Sequence, residues 1–294
     1  MSRLAFVLLA HEAPEHVIFS ARMLVDADPS CHVVVHYDAN APLESFQKIR
    51  AELSAHQTVH FVEDRIRCRW GEFSLVDSVV RALRIVRKAD LPVDHVYLIS
   101  GSCMPIRPIA ELRWFLAQYP TREFIQCRDS SWIRNGLREE RYLYRHFFNF
   151  QTHPRQFNQA FKLQKKFRLQ RRFPAGLTPR FGSQWWCLTR ATCDAIVAWI
   201  DARPRSYEFF RTTWIPDEMF FQTMVHALVD QTRIHGEPLT YFKFNANGRP
   251  IAYYDNATED TLPRFPYFFV RKVAAGAHQL RRRLAEIAAQ PLDE

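Results

Sequence analysis

Four apolar runs alternate with amphipathic stretches at the start of the chain, and this alternation restricts the fold more than any other feature. Leu4–Ala10, Cys31–Tyr37, Thr58–Val62 and Val93–Ser100 have the length and composition of strands. Between them, Ala13–Leu24, Leu43–Leu53 and Ser74–Val86 carry apolar residues at helical spacing, most regularly at Val76, Val79, Val80, Leu83 and Val86. Strands that are apolar on both faces and alternate with helices form a parallel sheet covered on both sides. The predicted class is α/β, a mostly parallel, Rossmann-like sheet flanked by helices.

In such sheets ligands bind beyond the carboxyl ends of the strands, which directs attention to three turns. Asp38 closes the second run, placed either to meet a ligand group or to cap the turn. Trp70-Gly71 lies in the loop before the Ser74–Val86 helix, where a tryptophan either stacks on a base or sugar or packs on the surface. Ser100-Gly101 follows the fourth run, and its small residues let backbone N–H groups approach a phosphate or sugar. That turn offers no carboxylate for a divalent metal. The one Asp-x-Asp, Asp26-Ala27-Asp28, precedes a strand and reads as a helix end.

Further along, Trp214-Ile215-Pro216-Asp217-Glu218 leads into a run with Phe220, Phe221, Met224, Val225 and Leu228 at helical spacing. Proline favours the first helical position, so Asp217 and Glu218 are expected in the first turn. The helix dipole there favours ionised carboxylates, while Trp214 and Phe221 exclude water and raise the pKa. The pair is a candidate general base; it equally suits plain stabilisation of a helix start.

Composition narrows the class. A chain of 294 residues with 47% hydrophobic residues builds a substantial core. The opening apolar run is too short and too soon interrupted by His11-Glu12 to resemble a signal peptide, and none approaches a bilayer span. The six cysteines lack metal-ligand spacing and read as buried thiols of a cytoplasmic protein. A net charge of +9 suits an anionic partner but follows no nucleic-acid motif, and no nucleic acid is expected.

The remaining stretches read as a helix at Glu111–Tyr119, a strand at Glu123–Cys127, and basic surface helices at Arg138–Phe150 and Phe157–Phe173. After these come an aromatic strand through Phe181–Arg190, a helix at Ala191–Ile200, a strand at Thr240–Phe244 and a basic tail helix at Val273–Gln290. The second basic helix is either an acceptor- or membrane-facing surface or a solvated face, and with the tail it suits a peripheral contact with the inner face of a membrane.

Taken together, Phe6–Pro14 with Val35-His36-Tyr37-Asp38, Trp70-Gly71, Leu98–Pro105, Gly182-Ser183-Gln184-Trp185 and Pro216–Thr223 resemble one family. This is the Core-2/I-branching β-1,6-N-acetylglucosaminyltransferases and related peptide O-xylosyltransferases, glycosyltransferase family 14. Phe269-Val270-Arg271-Lys272 resembles the family's basic site near its carboxyl end. The departures are Glu72, where a second glycine is expected, and Trp186 in place of Phe or Tyr.

The resemblance implies one GT-A-like domain over residues 1–272, with a nucleotide-sugar half (1–127) and an acceptor and catalytic half (128–272), then a basic helix in 273–294. It implies inverting transfer of N-acetylglucosamine or xylose from a UDP-sugar to a hydroxyl of a glycan, polysaccharide or protein, with no metal or other cofactor required. Glu218 corresponds to the base, with Asp217 orienting it or the acceptor. Lys272 and an arginine, Arg249, Arg264 or Arg271, take the metal's place at the diphosphate. Asp38 and Trp70 are expected near the uridine and Ser100-Gly101 near the ribose or diphosphate. Trp185 and Trp186 are expected as an apolar wall against the sugar, with Ser183 and Gln184 as hydrogen-bonding groups. Two other readings stay open: a metal-dependent transferase with ligands elsewhere, and a carbohydrate- or nucleic-acid-binding module on the same fold without turnover.

Overall fold

A computed structural model of the chain describes residues 1–11, 13–245, 250–258, 261–263 and 265–292. The first half alternates as expected: β1 (Leu4–Ala10), α1 (Pro14–Ala27), β2 (His32–Tyr37), α2 (Leu43–Leu53), β3 (Val59–Phe61), α3 (Ser74–Lys88) and β4 (His95–Ser100). Then follow β5 (Met104–Pro105), α4 (Ile109–Gln118), α5 (Glu140–Leu143), α6 (Pro154–Lys166), β6 (Cys187–Thr189), α7 (Arg190–Ala202) and α8 (Pro204–Phe209). The chain closes with α9 (Phe220–Leu228), β7 (Thr240–Phe242), β8 (Phe269–Arg271) and α10 (His278–Ala288).

The main sheet runs β3-β2-β1-β4-β6, with the first four strands parallel and β6 antiparallel. Leu8 sits at its centre, paired with Val35 on one side and Ile99 on the other, and all three are buried. Apolar residues on both strand faces require cover on both sides; α1 packs with α2, α4 and α10, and α3 with α7. From β1 the chain steps outward to β2 and β3, then returns to the other side of β1 as β4. That reversal is the switch point where α/β sheets bind ligands. Asp38, whose N–H donates to Ala10 O (2.8 Å), and Gly101, whose N–H donates to Leu9 O (3.2 Å), flank it.

A second sheet, β5-β8-β7, leads Arg271 towards this point. Tail helix α10 packs beside β5 through buried Leu280 and Leu284. Its Arg281 is also buried and donates to Gly101 O (3.3 Å) and Val273 O (3.2 Å), so the tail is less of a basic surface than its sequence suggests.

The 128–181 region departs most from expectation. In place of a helix over Arg138–Phe150 there is only α5, and α6 stops at Lys166 because Arg168 takes a left-handed φ of 52° that reverses the chain. The reversal turns Arg171 inward to carbonyls of Tyr142 (3.1 Å), Tyr144 (3.0 Å) and Phe209 (2.8 Å). Glu123–Cys127 makes single bridges instead of a strand. Glu123 is fully buried and accepts from Thr189 N–H, both threonine hydroxyls of Thr189 and Thr192, and Arg233, which satisfies its charge.

Candidate active site

The acidic pair sits in a 3-10 turn of its own, Pro216–Glu218, not in the first turn of α9. Met219, at φ −140°, leaves the helical region and separates the two. Ahead of the turn Ile215 adopts φ 50°, ψ 58°, a rare conformation for a β-branched residue and one that concentrates at functional sites. Its N–H donates to Gly71 O (3.0 Å).

The two carboxyls meet different surroundings. Glu218 Oε2 accepts from Arg141 Nη1 at 2.8 Å; the arginine side chain is 7% exposed and the glutamate's 30%. A specific counter-charge therefore replaces the helix dipole expected from sequence. Asp217 is buried, and among the described residues its Oδ1 has no hydrogen-bond partner. Burial, followed by the neighbouring Glu218 charge, pushes its carboxyl up to about 7. Adjacent acids held in such unlike environments suit a division of tasks.

A cationic centre forms at the carboxyl end of β4. Arg271 Nη1 donates to Ser100 Oγ and to Ser102 Oγ (2.8 Å), and its guanidinium lies 4.3 Å from the centroid of the Trp185 ring. Lys272 follows, held by backbone bonds to Ile251 O (3.4 Å) and from Tyr253 N (2.8 Å); among the described residues its ammonium has no ion pair. Arg249 and Arg264 lie outside the described residues.

One strap, residues 182–186, joins the acids to the cations. Gly182 N donates to Glu218 O (3.0 Å), and Gln222 Nε2 donates to Ser183 O (2.8 Å). Ser183 Oγ accepts from Trp185 N (3.1 Å), which sets Trp185 under Arg271. Only glycine fits at 182, where a Cβ would stand 2.5 Å from Gln126 O. Gln184 is half-buried, and among the described residues its side chain has no hydrogen-bond partner. Trp186 corrects the expectation of a sugar wall: it is 0% exposed, its ring packs on Phe221 at 5.2 Å, and its carbonyl accepts from Leu98 N. It is a core residue with no surface to offer a sugar.

Asp38 Oδ1 accepts from Asn40 N (2.7 Å) and Cys68 N (3.2 Å), so its carboxylate tethers the loop that carries Trp70. Trp70 is half exposed and meets Trp214 edge-on at 5.5 Å. Gly71, at φ +75°, passes so close to Trp214 that a Cβ would lie 2.9 Å from its ring. The tryptophan loop is thus fastened to the acidic turn. Beside it opens a cleft of about 670 Å³ lined by Gly71, Glu72, Asp77, His146, Asn149 and Trp214, among others. Glu72 Oε1 accepts from Asn149 Nδ2 (3.0 Å), giving the unexpected glutamate a place in the cleft wall.

A family model described as Core-2/I-Branching enzyme matches residues 4–264. The chain belongs to that family. Among its relatives, rat (Rattus norvegicus) xylosyltransferase 1 is 25% identical over 227 residues, 76% of this chain and 26% of that protein. A Ciona intestinalis xylosyltransferase is 25% identical over 181 residues, 61% of this chain and 20% of the relative. The chain therefore spans about a quarter of the length of these relatives or less. Among solved structures, the galactosyltransferase LgtC in complex with donor and acceptor sugar analogs covers 98% of both chains at 8% identity and a TM-score of 0.43.

For this member of the Core-2/I-Branching enzyme family, several residues that build the site carry little signal in the sequence. Arg141 is one basic residue in a basic, weakly periodic stretch, and only its burial against Glu218 distinguishes it. Arg281 is hidden in the same way among the tail's arginines. Ser102 was visible as part of a small-residue turn, but its partner lies 169 positions away. Among the described residues, no group of three or more histidines, cysteines or acids is arranged to hold a metal ion.

Proposed function

We propose that the protein transfers xylose or N-acetylglucosamine from a UDP-sugar to a hydroxyl of a glycan, polysaccharide or protein, with inversion and without a required metal. The observation that carries this reading is the strap, which bonds Glu218 at one end and sets Trp185 beneath Arg271 at the other. An inverting transfer needs a base and a cationic clamp on opposite sides of the anomeric carbon.

In this mechanism Glu218 takes the acceptor hydroxyl's proton as that oxygen bonds to the anomeric carbon. The bond from that carbon to the diphosphate oxygen breaks, and its electron pair leaves with UDP. Arg271 and Lys272 stabilise the departing charge, and Ser100 with Ser102 holds the Arg271 guanidinium towards the ribose or diphosphate, whereas both backbone groups of Gly101 are taken by Leu9 O and Arg281. Arg141 holds the Glu218 carboxylate in place, and Asp217 orients it or the acceptor. Asp38 supports the loop and Trp70 presents a stacking face. Trp185 serves as the platform for Arg271 and buried Ser183 fixes the strap, while Gln184 offers its amide to the sugar. The cleft beside Trp214 receives the remainder of the acceptor.

The test is a thermal-shift screen of UDP-xylose, UDP-N-acetylglucosamine and other UDP-sugars in excess chelator, followed by transfer assays. A donor at about 100 times its Kd adds roughly 2.7 kcal/mol of stability, a rise on the order of 5 °C. Stabilisation and turnover in chelator support the reading. Activity that disappears in chelator overturns metal independence, and indifference to every UDP-sugar overturns the donor class.

A further inference from the structure

Between Arg141 and Cys193 the chain contains no aspartate or glutamate. Helix α6 sorts this acid-free segment into two faces. Phe157 turns inward, 4.9 Å from Trp214 between ring centroids, with Ala160, Phe161 and Gln164 along the same side. The outward side presents Arg155, Lys162 and Lys166, and the chain leaving the helix adds Arg168 and Arg172. Among the described residues none of these five cations forms an ion pair.

Large apolar side chains stand among them. Leu163, Phe167 and Leu169 are each more than half exposed, at 56%, 58% and 55%. They are gathered at one end of α6 because the turn folds back, with Leu169 N donating to Gln164 O (2.9 Å). Phe147 and Phe150, also exposed, extend the patch; the Phe150 ring lies 5.5 Å from Phe157, which fixes their loop alongside the helix. Clustered exposed apolar residues mark interaction surfaces.

We propose that α6 and the turn after it dock on an anionic lipid bilayer. A polyanion in solution satisfies the cations but leaves the leucines and phenylalanines in water. A bilayer satisfies both, with apolar side chains at the boundary between headgroups and acyl chains and lysines and arginines at anionic headgroups. The helix lies on such a surface; no described helix is long and apolar enough to cross one. Phe147 also belongs to the rim of the cleft beside Trp214, so docking brings that rim to the lipid surface. The docking holds whichever sugar is transferred.

The experiment is co-sedimentation of the full chain with vesicles of phosphatidylcholine, with and without about one third phosphatidylglycerol, near 0.1 M salt. Each cation is worth roughly a fivefold change in binding, so Lys162→Gln, Lys166→Gln and Arg168→Gln together weaken attachment to anionic vesicles on the order of 100-fold. Leu163→Ser, Phe167→Ser and Leu169→Ser together abolish it with an unchanged melting temperature, since these side chains make little of the core. The expected result is binding to anionic vesicles alone and its loss in both variants. Absence of binding, equal binding to neutral vesicles, or full binding by either triple variant overturns the proposal.

Discussion

Replacing Asp217 by asparagine isolates the effect of one buried carboxyl. In the folded protein burial and the Glu218 charge raise it from 3.8 to about 7, whereas in the unfolded chain it titrates near its ordinary value. Between those two pH values the folded state holds the extra proton, so stability is fully present below about 4 and falls as pH rises through about 7. At about 1.4 kcal/mol for each tenfold change in proton affinity, the ionised side chain costs on the order of 4 kcal/mol above pH 8. Asparagine has nearly the same shape and no charge to desolvate. Urea unfolding of wild type and Asp217→Asn should give similar stabilities near pH 4.5. Near pH 8.5 the variant should be the more stable by roughly 2–4 kcal/mol. A difference that does not change with pH, or a variant less stable at pH 8.5, would show that Asp217 is not held protonated by burial.

Arg271→Lys keeps the charge but loses the fork that reaches two serines and stacks on Trp185; calorimetry should show UDP binding weakened roughly 10- to 100-fold. Gly182→Ala forces a methyl group against Gln126 O, and denaturant unfolding should show a loss of about 1–3 kcal/mol. Arg141→Gln removes the counter-charge of Glu218. Steady-state kinetics should show kcat reduced about tenfold or more with the donor KM nearly unchanged, the pattern of a positioning residue.

The sheet was legible because its signal is local. Apolar runs such as Leu4–Ala10 and Val93–Ser100 state their burial in their own composition, and the helices between them repeat at 3.6 residues. The acidic pair was legible as a motif, but its setting was not: the break at Met219 is a backbone conformation, and the ion pair to Arg141 spans 77 positions. Trp186 shows the opposite failure. Adjacent tryptophans look alike in sequence, yet one lies beneath Arg271 and its neighbour is sealed against Phe221. The basic segment misled in part because Arg171 and Lys166 read the same, whereas the left-handed turn at Arg168 sends Arg171 into the interior.

The proposed mechanism rests on Glu218 removing the acceptor's proton. Transfer by Glu218→Gln, measured with the donor that stabilises the wild-type chain and checked for unchanged UDP affinity, tests it most directly. The kcat should fall about 10²- to 10⁴-fold with donor affinity retained. Turnover at the wild-type rate contradicts it.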